Sequence, residues 1–348
     1  MKIGFDIQYK PHDAVYAALR LSDSLKAMGY DTTLFSKIKR HYTYGCDWDS
    51  MVVTPYHMSY EHWLSSITHI IWPSPPNKDI VAKAGKNVVT ISLAPWDCLP
   101  AYTKKSFKLC AHTVATCKEN YEILRTEFGL SNVVLSEWDS YIPTTRKSKG
   151  ATDITKPKVL IPMHSSQGLR CDLDALFEVI VGLNLECPKA ELTLSYSPKC
   201  VPWHITNEIR KFLHRHAGNA RLHSVVDSPT CVSSLLLYGD HDLVLWPAEI
   251  EGFGLVGIEA LYMGTPVIAY DIPPISGIIT DGVNGMLVPC KKSVAGGSTY
   301  AQPDPKTFIS VAAEAINNQL VELGKHTRIG RKTKRTKFNS TWKKIIEG

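Results

Sequence analysis

Two glutamates, Glu251 and Glu259, are separated by seven residues in the stretch EGFGLVGIE. Carboxylates accept hydrogen bonds from hydroxyls, while a glycine turn leading into a helix N-terminus offers backbone N–H groups and a favourable dipole to an anion. The pairing suits a ligand that carries sugar hydroxyls beside a phosphate. The flanking residues say how the two are positioned. Asp242–Pro247 is an apolar run of the kind that makes a buried parallel strand. After the EGFG turn, apolar side chains recur at helical spacing, Gly264 is a natural C-cap, and Thr265–Tyr270 reads as the next strand. This β-α-β unit puts Glu251 in the turn and Glu259 on the helix. A plainer alternative makes Glu251 a solvated loop carboxylate and Glu259 an exposed helix position.

EGFGLVGIE, followed by EALYMGTPVIA and DGVNGMLV, resembles the donor-binding signature of the family 4 glycosyltransferases of the GT-B fold. The resemblance covers most of residues 156–348, and residues 1–155 only by the order of strands. It implies that Glu251 contacts the transferred sugar, that Glu259 holds the ribose of the nucleotide, and that the Gly254 and Leu255 amides lie near the diphosphate. It also implies a basic pair after the first strand of the second domain. There the loop reads HSSQGLRCD, with Arg170 about where a lysine usually stands and Ser165 or Ser166 in the companion arginine position. Gly168 would let backbone amides approach phosphate instead.

On the acceptor side, the position where the family often carries a histidine holds Ser92. The nearest acid is Asp97, in APWDCLP, a candidate general base whose bland alternative is a turn former. Trp96 is either a stacking surface for a sugar or base, or a core aromatic. The first β–α turn, FDIQYKPHDA, has no glycine and so no G-x-G-x-x-G site. It also lacks the Gly-Gly of many relatives, and its Lys10 is assigned to acceptor binding. The chemistry implied is sugar transfer from a nucleoside diphosphate donor, most readily a UDP-sugar, with retention at the anomeric carbon and without a metal. No cofactor beyond that co-substrate is expected.

Composition fits a protein of two ordinary domains: 348 residues, 44% hydrophobic and 21% charged. The start shows no basic segment followed by an apolar one, and no stretch has the length to span a bilayer, which points to the cytoplasm, a host's if the protein is viral. Nine cysteines without C-x-x-C spacing read as reduced thiols, and the 13 histidines form no H-E-x-x-H. His214 and His216 flank Arg215 on a polar helix and are expected in solvent.

Charge is uneven along the chain. Residues 1–150 carry 18 Lys/Arg against 14 Asp/Glu, residues 151–324 carry 12 against 18, and residues 325–348 carry 9 against 1. Strands alternate with helices through both halves, as in a parallel doubly wound sheet. The expected architecture is α/β: a Rossmann-like acceptor-side domain at 1–150 and a Rossmann-like donor-binding domain at 151–324 facing each other across a cleft, with a basic helix at 325–348 returning to the first domain. Pro143–Lys158 is the linker candidate. The charge split suggests a polyanionic partner. Arg331, Lys332, Lys334 and Arg335 are the candidate contacts. Duplex DNA bearing a hydroxymethylated base, as in phage DNA-modifying glycosyltransferases, is the first acceptor, ahead of an anionic membrane. Envelope lipids, polysaccharides and small molecules remain alternatives, as does a scaffold that binds nucleotide sugar or nucleic acid without turnover.

Overall fold

The computed structural model describes residues 1–7, 12–36, 58–95, 103–138, 155–163, 170–196, 203–216, 220–224, 231–295, 298–327 and 331–348. The chain divides into two compact units. One comprises Met1–Ile142, Val294–Ser298 and Lys332–Gly348, and the other Pro143–Ser293 and Thr299–Arg331.

In the first unit the order is β1 (Lys2–Asp6), α1 (His12–Ala27), β2 (Asp31–Phe35), α2 (Tyr60–Ser65), β3 (His69–Trp72), α3 (Lys78–Ala84), β4 (Val89–Ala94), α4 (Lys104–Leu109), β5 (His112–Ala115), α5 (Lys118–Thr126) and β6 (Val133–Leu135). These strands form one parallel sheet in the order β2-β1-β3-β4-β5-β6. The strand order reverses between β1 and β3. β3 ends at Trp72, before the expected Ser74, because Pro73, Pro75 and Pro76 have no N–H to continue a ladder. β4 is displaced two residues from the expected Asn87–Ser92, since its register pairs Val89 with His69 and Ala94 with Ala115. The short α2 was not legible from periodicity; it is set by its cap, where Ser59 Oγ accepts from the His62 amide at 3.1 Å.

The second unit begins with β7 (Lys158–Met163), α6 (Leu173–Glu186), β8 (Glu191–Tyr196), α7 (Trp203–His216), β9 (Ala220–Ser224), α8 (Cys231–Gly239) and β10 (Leu243–Trp246). It continues through α9 (Leu255–Met263), β11 (Val267–Tyr270), α10 (Ile275–Ile278) and β12 (Gly285–Val288). A two-stranded ribbon, β13 (Lys291–Ala295) and β14 (Ser298–Gln302), leads to α11 (Pro305–Glu314), a π-helical turn and α12 (Leu320–His326). The second parallel sheet has the order β12-β11-β10-β7-β8-β9, reversing between β7 and β10. Its core is continuous from β7, β8 and β10 to α6 and α11, with Val159, Ile180, Leu183, Leu194, Leu245 and Phe308 fully buried. Asp242 pins the two central strands, because its carboxylate accepts from the Lys158 amide at 2.8 Å while its own amide donates to the Lys158 carbonyl at 2.8 Å.

The basic segment expected as one helix over 325–348 instead begins within the end of α12, and its own helix is α13 (Arg331–Glu347). Phe338, Trp342, Ile345 and Ile346 make its buried stripe at helical spacing. Tyr30 in the first unit donates its hydroxyl to Glu347 at 2.8 Å. No helix among the described residues is long and apolar enough to cross a membrane.

Candidate functional site

In open α/β sheets ligands bind beyond the carboxyl ends of the strands where the strand order reverses. In the second unit those strands are β7 and β10, and one of the residues singled out above follows each: Arg170 between β7 and α6, Glu251 between β10 and α9.

All four residues of β10 are buried, and Pro247 follows, with no amide to extend the ladder. The chain then turns over the Glu251 side chain. Glu251 Oε1 accepts from the amides of Gly252 at 2.9 Å, Phe253 at 3.3 Å and Gly254 at 3.1 Å. Its other oxygen, Oε2, accepts from Trp246 Nε1 at 3.0 Å. Gly254 closes the turn with φ 72°, in the left-handed region, where a Cβ would also fall 2.2 Å from Ile278 Cδ1. α9 starts at the next residue.

Glu251 is therefore 6% exposed and built into the turn, which overturns the alternative of a solvated loop carboxylate. The Gly254 amide, assigned from resemblance to the diphosphate, donates to Glu251 here. The amides that open α9, from Leu255 onward, are the groups that helix geometry leaves without intrahelical acceptors.

Arg170 is no surface residue either. Its side chain is 9% exposed; Nη1 lies 3.9 Å from Glu251 Oε1 and donates to the Ile250 carbonyl at 3.3 Å. The guanidinium thus compensates the same buried carboxylate oxygen that collects the three amides, which keeps the charge tolerable away from water. Glu259, the fifth residue of α9, is 1% exposed, so the exposed-helix alternative fails as well. At a rise of about 1.5 Å per residue it sits ~6 Å along the axis from the helix start. Its carboxylate is buried on a helix whose other residues are nearly all apolar and buried, where a charge carries a desolvation cost.

Some of the signature is architectural. In DGVNG, Asp281 Oδ1 accepts from the Leu287 amide at 2.8 Å and Asn284 Oδ1 from the Thr280 amide at 2.7 Å, closing the turn before β12. A Cβ on Gly285 would sit 2.1 Å from the Val267 carbonyl oxygen, so only glycine lets β12 reach β11 there.

Around Arg170 the loop is anchored by groups that sequence reasoning missed. The Glu249 amide donates to the Arg170 carbonyl at 2.7 Å, and the Glu249 carboxylate accepts from the Asp172 amide. Asp172 also N-caps α6 through the Ala175 amide at 2.9 Å. Burial raises the Glu249 carboxyl above the usual range; the Asp172 amide pulls it back and the Asp172 charge pushes it up. Burial, with the charges of Glu249 and Asp172, pushes the Cys171 thiol up to about 12. Trp246 and Glu249 left only weak signals, a polar-tipped aromatic ending a strand and an acid two residues before Glu251.

In the first unit Ser92 is fully buried within β4, two residues short of its end, and its hydroxyl donates to the Leu93 carbonyl at 3.3 Å. Lys10, Trp96, Asp97 and Gly168 lie outside the described residues, as do the side chains of Arg331, Lys332 and Lys334. Arg335 is half-buried; its guanidinium donates to Ser24 Oγ at 3.5 Å and lies 5.6 Å from the Phe338 ring centroid. A polar cluster not foreseen stands where this sheet reverses: Asp6, at the end of β1, accepts from Tyr60 Oη at 2.9 Å and Trp72 Nε1 at 3.1 Å.

The turn and its two carboxylates lie in a known family segment, and Arg170 lies before it. Residues 210–307 match the model of the glycosyl transferases group 1. This group 1 segment runs from α7 into α11 and contains Glu251, Glu259 and the DGVNG turn. A D-inositol 3-phosphate glycosyltransferase of Nocardia farcinica is 48% identical over 52 residues, 15% of this chain and 12% of that protein, so the match spans a small part of the relative's length. Anabaena HepE, solved in complex with UDP and glucose, superposes with a TM-score of 0.72 at 12% identity, each chain being covered over 100% of its length. The lipopolysaccharide outer core galactosyltransferase WaaB in its apo form gives a TM-score of 0.63 at 12% identity, covering 99% of this chain and 100% of that one. The fold is GT-B, with two parallel Rossmann-like sheets.

Proposed function

We propose that this protein is a retaining glycosyltransferase that moves a sugar from a UDP-sugar to a hydroxyl of an anionic acceptor. The observation that carries the reading is the Glu251 carboxylate, held by three amides and an indole at the reversal point of the second sheet, with Arg170 buried beside it. Oε1 is filled by its amides, whereas Oε2 has one donor and a second lone pair to accept from a sugar hydroxyl. Glu251 orients the sugar in this scheme and does not attack it. Glu259 holds the ribose. As the acceptor hydroxyl gives its proton to a base, Asp97 in this scheme, its oxygen bonds to the anomeric carbon, the bond to the diphosphate breaks and negative charge grows on the leaving group. Arg170, Gly168 and the first amides of α9 stabilise that charge, with no metal or further cofactor. UDP as the nucleotide draws support from HepE, whose solved complex contains it.

Within anionic acceptors, duplex DNA bearing a hydroxymethylated base is the reading supported by charge, with nine basic residues against one acid over 325–348. A phosphorylated cyclitol or envelope saccharide is the second reading, favoured by the names of the Nocardia relative and of WaaB. Two features limit the basic face available to DNA: Arg335 packs on Phe338, and Lys337 pairs with Glu137 at 3.3 Å. Mass spectrometry after incubation with UDP-sugars separates the readings, with hydroxymethylated duplex DNA, anionic vesicles and inositol 3-phosphate as acceptors. A mass gain of one sugar on one acceptor class identifies it. Duplex binding that ignores salt, together with no gain on DNA, removes DNA.

A further inference from the structure

Three segments of the second unit converge on Glu249. Its amide donates to the Arg170 carbonyl at 2.7 Å, and its own carbonyl accepts from the Ala301 amide of β14 at 2.8 Å. Its side chain accepts from the Asp172 amide, one residue beyond Cys171. The Arg170 guanidinium returns to the same strand of chain, donating to the Ile250 carbonyl at 3.3 Å and pairing with Glu251 at 3.9 Å. Residues 170–172 and 249–251 are therefore stitched together at both ends. Of these ties the Glu249–Asp172 bond and the two made by the guanidinium use a side chain and can be cut by substitution.

We infer that Glu249 is a positioning residue for the donor site: its carboxylate holds the loop that carries Arg170 against the turn that carries Glu251. The inference rests on the donor-site reading above and goes beyond it, since Glu249 need not touch the ligand. The charge of a carboxylate is unwelcome here. Among the described residues Cys171, Asp172 and Tyr270 interact electrostatically with it, and burial raises its pKa. A carboxylate kept in such surroundings, accepting a backbone N–H, acts by placing that N–H. An amide oxygen in the same place does the same without the charge, which separates positioning from electrostatics.

Three variants of the full chain, Glu249→Gln, Glu249→Ala and Asp172→Ala, test this by UDP calorimetry and amide hydrogen exchange. Glu249→Ala frees the Asp172 amide to exchange and weakens UDP binding about tenfold, the loss typical of a contact to a charged group. Glu249→Gln keeps an oxygen acceptor and restores both. Asp172→Ala removes the α6 cap yet keeps the Asp172 N–H, so it lowers Tm without weakening UDP. Wild-type affinity in Glu249→Ala overturns the inference, as does an equal loss in all three variants, which marks general loosening. No UDP binding by the wild-type protein overturns the donor-site reading and the inference with it.

Discussion

Trp246 Nε1 stands 3.0 Å from Glu251 Oε2, joining the last residue of β10 to the carboxylate of the turn that follows. The indole is 5% exposed, so the bond is shielded from water and fixes the plane of a carboxylate whose other oxygen already collects three amides. Trp246→Phe keeps the aromatic bulk and removes the donor. Turnover with UDP-sugar falls about tenfold, and stability falls by about 1–3 kcal/mol for the lost contact to a buried acceptor. Steady-state kinetics beside a urea titration measure both; unchanged turnover removes Trp246 from the site.

Gly254 holds φ 72° at the entrance to α9. Gly254→Ala meets both the left-handed backbone and Ile278, so it costs about 1–3 kcal/mol and loosens the turn. Gly277→Ala is the matched control, because nothing lies within 4 Å of a Cβ there. Equal Tm for the two variants would show that the Gly254 turn is not strained by a side chain.

Arg170→Ala leaves Glu251 without its cation and the proposed leaving group without its counter-charge. The transition state loses about 2–4 kcal/mol. The fold also weakens, because a buried carboxylate is left uncompensated, which differs from a residue serving phosphate alone. Turnover and thermal denaturation on the same preparation check this; a loss of stability with full turnover would confine Arg170 to structure.

Acid lowers stability through histidines. Burial depresses His69, His112 and His241 below the ordinary value of 6.5. Below about pH 6.5 the unfolded chain takes up protons at these positions before the folded one does, so stability is full above that pH and falls as pH drops toward the folded values. Tm measured from pH 8 to pH 5 declines in that window. His241, whose Nδ1 donates to the Leu237 carbonyl at 2.7 Å, can be replaced to flatten it. A Tm independent of pH in that range contradicts the assignment.

The alternation of strand and helix was legible because most of the parallel strands carry short apolar runs and most of the longer helices have a polar face. Glu251 was legible because a glycine turn and a carboxylate pair sit in register with the flanking strands. What escaped the sequence depends on contacts between distant segments. Arg170 reads as a lone cation in a polar loop, yet folding brings it to Glu251, 81 residues on, and buries both. Glu249 reads as a surface acid until its partner, the Asp172 amide, is known. Asp6 ends β1 without a local signal, because Tyr60 and Trp72 reach it from α2 and β3. The ribbon β13–β14 also gave none, its flanks being short and mixed in polarity.

The central claim is that the Glu251 turn handles the sugar of a nucleotide donor. Its most direct test is UDP release from a panel of UDP-sugars by the wild-type protein and by Glu251→Gln, with Tm recorded for both. Gln keeps an oxygen for the three turn amides and the Arg170 guanidinium but sets an amide NH2 against the Trp246 N–H. The account predicts release by the wild type with at least one sugar, and a fall of about a hundredfold or more in the variant while it remains folded. No release by the wild type with any UDP-sugar, or equal rates in the two proteins, would contradict it.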